Sequence, residues 1–209
     1  MTNGFAIGNG LSREGFDLEL LRGRGVSIGC NRIWHDFEPD YVVSLDDEPT
    51  AQIRAYLTEH PGAFRHITRS MHVEPGERWG RHIVCDDQEI IAAKFLNGGL
   101  NNNSGITAAA YLAEILACDV VYLIGVDFFL PTGLDRNDLY SGYLGFSPGI
   151  VDAWNRLFSS NRDVEFIRVG PIADRDRDFF ENELHELWLC ETFDEFMHHV
   201  DTRRCKDAR

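Results

Sequence analysis

Short apolar runs alternate along the chain with stretches in which apolar residues recur every three or four positions. Phe5-Ala6-Ile7, ended by Gly8-Asn9-Gly10, predicts a strand followed by a glycine turn. Val26-Ser27-Ile28-Gly29 and Tyr41-Val42-Val43-Ser44-Leu45 predict two further strands, and 64–68 and 82–85 weaker ones. Between them, Phe16 to Leu21 reads as a short helical segment and Asn31 to Phe37 as a helical turn. Glu48 to His60 places Ile53, Tyr56 and Leu57 at helical spacing before the stop at Pro61-Gly62.

The second half repeats the alternation more strongly. Ser104 opens a helix carrying Ile106, Ala109, Ala110, Leu112, Ala113, Leu116 and Ala117, whose small side chains allow close approach to a sheet. Residues 119–129 follow, centred on Val120-Val121-Tyr122-Leu123-Ile124, an unbroken apolar strand of the kind covered on both faces. Ile150 to Phe158 predicts a helix, Val164 to Val169 a strand and Phe193 to Val200 a last helix. A polar, frayed tail at 202–209 ends the chain. Trp154, Phe158, Phe179, Phe180 and Trp188 read as packing residues. The alternation predicts an α/β fold: a Rossmann-like, doubly wound, mainly parallel sheet with helices on both faces.

Length and charge narrow the picture. A chain of 209 residues suits one domain over 1–209, and 44% apolar with 26% charged residues is the composition of a soluble globular protein. The longest apolar run, Val120 to Val126, falls far short of the roughly 20 residues that cross a bilayer. Met1-Thr2-Asn3-Gly4 lacks the basic start and apolar run of a signal peptide, so a cytoplasmic location is expected. Thirty-four acidic against 20 basic residues give a net charge of −14, which argues against a nucleic-acid partner but leaves room for a single nucleotide. The five cysteines form no CxxC pair, so reduced and mostly buried thiols are expected. The histidines stand singly or, at His198-His199, diverge from one helix.

Ligands of open α/β sheets bind at loops following strands. In Gly8-Asn9-Gly10-Leu11-Ser12-Arg13 the glycines admit close backbone approach, and Ser12 and Arg13 can donate to a phosphate; a tight structural turn is the alternative. Asn31 offers donor and acceptor to a base or ribose, or caps the turn that follows. Asp46 and Asp47 can hold magnesium beside a phosphate, or cap the helix starting near Glu48. Asn103-Ser104-Gly105 combines helix-start amides with a hydroxyl, an anion or ribose site as well as a plain cap. Asp127 ends the strongest strand, suited to ligand contact or to accepting loop amides. Tyr140 and Tyr143, in a site loop at 130–148, can reach phosphate oxygens or simply pack.

In this order the segments Gly8-Asn9-Gly10-Leu11-Ser12, Cys30-Asn31, Ser104-Gly105 and Tyr122-Leu123-Ile124-Gly125-Val126-Asp127-Phe128 resemble bacterial sialyltransferases that use CMP-activated sugars. Pro39-Asp40-Tyr41-Val42-Val43-Ser44-Leu45-Asp46 also resembles the related archaeal 6-hydroxymethylpterin diphosphokinases and flagellin-modifying motility accessory proteins, and phage-encoded relatives share the pattern. The resemblance covers Gly8 to Phe128. It implies a nucleotide above the sheet, contacted by Asn9, Ser12 and Asn31, with Ser104 and Gly105 near ribose or phosphate. Tyr140 and Tyr143 correspond by location to two tyrosines that assist the leaving phosphate in the sialyltransferases.

The catalytic base of those enzymes is a histidine. No histidine lies between His82 and His185 here, so His185 or an aspartate has to serve.

Three functions are carried forward. The first is glycosyl transfer from a nucleotide-activated, CMP-type donor to a small-molecule or glycan acceptor. The second is magnesium-dependent diphosphate transfer to a small alcohol by Asp46 or Asp47 with Asp127. The third is nucleotide binding without catalysis. No organic cofactor is implied, and self-association is compatible with all three.

Overall fold

The computed structural model describes residues 1–68, 82–84, 103–127, 148–172, 177, 180–184 and 186–204. Among these, eight strands form one sheet: β1 (Asn3–Ile7), β2 (Val26–Cys30), β3 (Tyr41–Val43), β4 (Arg65–Thr68), β5 (His82–Val84), β6 (Val120–Ile124), β7 (Glu165–Val169) and β8 (Leu187–Cys190). Their order is β5-β4-β3-β2-β1-β6-β7-β8, and every pairing is parallel. The fold is α/β, a Rossmann-like doubly wound sheet. Successive strands step outward from β1 to β5, then the chain returns to lay β6 against the free side of β1. The winding therefore reverses between β1 and β6, and ligands of such sheets bind beyond the carboxyl ends at this point.

Two-residue periodicity explains the layers. Phe5 and Ile7 of β1, with Val120, Tyr122 and Ile124 of β6, point to one face and meet Leu18, Leu21, Phe37, Phe196 and Val200. Ala6, Val121 and Leu123 point to the other and meet Trp154, Leu157 and Phe158. Full burial of such side chains contributes about 1.5–3 kcal/mol each before the entropy of ordering them is charged.

The alanines act through size. Helix α2 (Ser104–Ala110) lies over β1 and β2 with Ala108, Ala109 and Ala110 fully buried, and continues into a single π turn at Tyr111–Ile115. Helix α3 (Pro148–Ser160) packs beside it and contributes Trp154 to the same layer. On the opposite face α1 (Asp47–Glu59) buries Ile53 and Leu57 against Val42 and Phe64, and α4 (Phe193–Arg204) buries Phe196 and Val200.

The structure departs from the sequence reading in several places. Residues 11–13 and 18–21 between β1 and β2, and 33–35 between β2 and β3, form 3-10 turns, so neither connection contains an α-helix. Strand β8 was not expected; it is four residues long and pairs along one side only, leaving Trp188 65% exposed where packing was expected. Helix α4 extends to Arg204, through the first three residues of the expected tail. Thr202 donates to the His198 carbonyl at 2.9 Å, and Arg203 donates to His199 at 3.0 Å and to Glu165. Residues 205–209, Phe179 and most of the loop at 130–148 lie outside the described residues.

Cys30, Cys118 and Cys190 are free and buried. No helix among the described residues is long and apolar enough to cross a membrane.

Candidate functional site

The reversal point carries two loops that meet. Gly8 N donates to Ile124 O and Gly10 N to Gly125 O, both at 2.8 Å, so the loop after β1 lies against the loop after β6. Ser12 N extends the zipper, donating to Asp127 Oδ2 at 2.9 Å. Gly10 is required at this crossing, since a Cβ there would stand 2.3 Å from Asp127 Oδ2. Asp127 is thus brought to the loop after β1, where its carboxylate accepts a loop amide.

Arg13 is buried and turned inward. Its Nε donates to Gly8 O at 3.0 Å and its Nη2 to Asp36 Oδ2 at 2.6 Å. Of the phosphate donors expected of this loop, the Arg13 guanidinium is therefore engaged by the protein itself, as is the backbone amide of Ser12. The Ser12 hydroxyl is different: its oxygen is buried and finds no hydrogen-bond partner among the described residues.

Beside this zipper, over β1 and β2, five other expected residues converge. Asn9 Nδ2 donates to the Cys30 carbonyl at 2.9 Å, which draws the loop after β1 toward the end of β2. Asn31 follows β2 in the left-handed region at φ +53°, a conformation that Asn tolerates better than most residues. It does not cap the turn at 33–35. Its amide donates to Val43 O at 2.7 Å, and its side-chain oxygen accepts from Ser104 Oγ at 3.2 Å. Ser104 begins α2, whose cap is Asn103: the Asn103 Oδ1 accepts from Ile106 N at 2.9 Å. Gly105 sits between Asn103, Val126 and Trp154. Asn9, Asn31, Asn103, Ser104 and Gly105 thus share one region beside the reversal point.

The acidic pair does not join it. Asp46 and Asp47 lie exposed at the start of α1, and Asp46 occupies the cap position without accepting a side-chain bond. From β3 to β6 there are three strand spacings, about 14 Å at roughly 4.8 Å each. Asp127 is also engaged, by the Ser12 amide and by Arg168 Nη2 at 3.5 Å from its Oδ1. Asp46 and Asp47 thus follow β3 and Asp127 follows β6, on loops three strands apart. Among the described residues no three or more His, Cys, Asp or Glu side chains cluster as metal ligands.

Tyr140, Tyr143 and His185 lie outside the described residues. Sequence reasoning missed Arg168, which spacing alone could not connect to Asp127. It also missed a buried chain under α1: Ser44 Oγ and His66 Nε2 share a bond of 2.6 Å, and Ser44 and Thr50 one of 2.8 Å. That chain ties α1 to β3 and β4. A cleft of about 350 Å³ bordered by Arg22, Asp40 and Arg65 lies at the opposite, amino-terminal edge of the sheet.

No family model matches the chain, and no curated protein or solved structure matches it.

Proposed function

We propose that the protein is a nucleotide-dependent transferase, most concretely a glycosyltransferase taking a nucleotide-activated sugar of the CMP type. The observation that carries the reading is the convergence of Asn9, Asn31 and Ser104 beside the winding reversal. Amide side chains offer both donors and acceptors, as a pyrimidine or ribose edge requires. The resemblance of the same segments to the sialyltransferases supports the CMP-type donor.

The chemistry of this reading is displacement at the activated sugar carbon. The acceptor oxygen forms the new bond, the bond to the phosphate oxygen breaks, and the nucleotide leaves with that electron pair. Tyr140 and Tyr143 would donate to the developing phosphate charge, and His185 would take the acceptor proton. Asp127 Oδ2 accepts from the Ser12 amide and holds the loop after β1 in place, while its buried Oδ1 stands 3.5 Å from Arg168 Nη2 without a hydrogen-bond partner among the described residues.

A thermal-shift screen against CMP, CDP, UDP, GDP, ATP and CMP-sialic acid, each with and without magnesium, tests the proposal. A ligand that binds only the folded chain raises its melting temperature by mass action. Stabilisation by cytidine nucleotides without metal is the expected result. A shift with ATP only in the presence of magnesium would favour diphosphate transfer instead. A shift with CMP-sialic acid but no release of CMP in any acceptor mixture would favour a binding protein.

A further inference from the structure

We propose that Arg168 is the positioning residue of this site: its buried guanidinium balances Asp127, which in turn holds the loop after β1 through the Ser12 amide. The inference rests on the nucleotide-site reading for its functional consequence, and on geometry alone for the linkage itself.

Arg168 lies in β7, two strands from β1, and is 3% exposed. Nη2 stands 3.5 Å from Asp127 Oδ1 and donates to Pro171 O at 3.0 Å, while Nη1 donates to Gly170 O. The face of Phe180 covers the guanidinium, with 5.1 Å between Cζ and the ring centroid. One cation therefore ties the loops after β6 and β7. Asp127 carries the tie to the third loop, accepting from Ser12 N at 2.9 Å. Gly170, at φ +114°, closes the triangle: a Cβ there would stand 2.3 Å from Ser12 O.

The consequence reaches Asn9. Gly8, Gly10 and Ser12 all point their amides toward the loop after β6, so Asn9 is left to turn toward β2 and meet Cys30 O. A loop released from Asp127 would no longer present Asn9 in that position. Removing the Arg168 charge leaves the half-buried Asp127 carboxylate without its cation, whereas removing both charges together does not. This asymmetry separates positioning by charge from simple packing.

The test compares wild type, Arg168→Met, Asp127→Asn and the double variant by hydrogen exchange at the Ser12 amide and by calorimetric titration with CMP. Arg168→Met is expected to speed Ser12 exchange and weaken CMP binding, each by roughly ten-fold or more. The double variant is expected to improve on Arg168→Met at least about three-fold in both, because the side-chain carbonyl introduced by Asp127→Asn can still accept from Ser12 and no carboxylate is stranded, while the Gly170 and Pro171 carbonyls lose their donor in both chains alike. A double variant no better than Arg168→Met, or an Arg168→Met chain with wild-type Ser12 exchange, would overturn the proposal. Should Arg168→Met fail to fold, the double variant against Asp127→Asn still decides: Ser12 exchange within about three-fold in the two supports a linkage that runs through the carboxylate, and a further rise of about ten-fold in the double refutes it. A wild-type chain that ignores CMP while Ser12 exchange follows the expected pattern would remove the nucleotide reading and leave the linkage standing.

Discussion

Ser104 donates its hydroxyl to the side-chain oxygen of Asn31 across 73 residues of sequence, joining the start of α2 to the end of β2. The bond depends on Asn31 holding a left-handed backbone at φ +53°. For most residues that conformation costs roughly 1–2 kcal/mol, and glycine adopts it freely. Asn31→Ala is therefore expected to be less stable than Asn31→Gly by about 1 kcal/mol in urea unfolding, although alanine otherwise restricts the unfolded chain more. Equal stability of the two variants would contradict the assignment.

The crossing of the loops after β1 and β6 leaves no room for side chains. A methyl group at Gly10 would meet Asp127 Oδ2 at 2.3 Å, and the carboxylate cannot retreat without losing Ser12 or Arg168. Gly10→Ala should destabilise the fold by about 1–3 kcal/mol, the usual range for overpacking. Unchanged midpoints in urea would show that the loops separate more easily than the geometry implies.

Burial silences the described thiols. It pushes Cys30 up to about 12 and is the first cause of the rise at Cys118, to about 11, and at Cys190, to about 12. The thiolate is the reactive form, so these three should resist iodoacetamide at pH 8 in the native state and react on unfolding. Peptide mapping by mass spectrometry reads each site separately. Rapid native labelling of Cys30 would contradict its placement.

His199 gives the fold a pH dependence. Arg203 Nε donates to its Nε2 at 3.0 Å, which leaves Nδ1 to donate to the Tyr122 hydroxyl, also at 3.0 Å. Burial first, and Arg203 next, hold this imidazole below its ordinary value of 6.5. The unfolded chain then binds the extra proton first as pH falls. The contribution of neutral His199 is full above 6.5 and is lost as pH drops toward the folded value. Melting temperatures between about pH 7.5 and 5.5 should fall more steeply for wild type than for His199→Gln. Parallel slopes would contradict this.

Much of the architecture was legible because periodicity is local. The run Val120 to Ile124 is a central strand with both faces covered, as its unbroken apolar pattern implies. The spacing of Ile53 and Leu57 marks the buried face of α1. Strand β8 was not legible, because four residues after an acidic stretch carry too short a pattern. Glycines and asparagines after strands marked loops that the fold brings together at the winding reversal. What spacing could not reveal was how those loops spend their hydrogen bonds. Arg13 looked like a phosphate donor, yet Asp36, distant in sequence, engages it, and Asp127 engages the Ser12 amide. Arg168 escaped notice for the same reason: it meets Asp127 only because sheet order lays β7 beside β6.

Calorimetric titration of CMP into the wild-type chain and into Asn9→Ala and Ser104→Ala tests the central claim most directly. The account predicts saturable one-to-one binding, weakened roughly two- to ten-fold in each variant, the loss of one hydrogen bond of about 0.5–1.5 kcal/mol. No binding by the wild-type chain, or variants that bind CMP as tightly as it does, would contradict the claim that these residues form a nucleotide site.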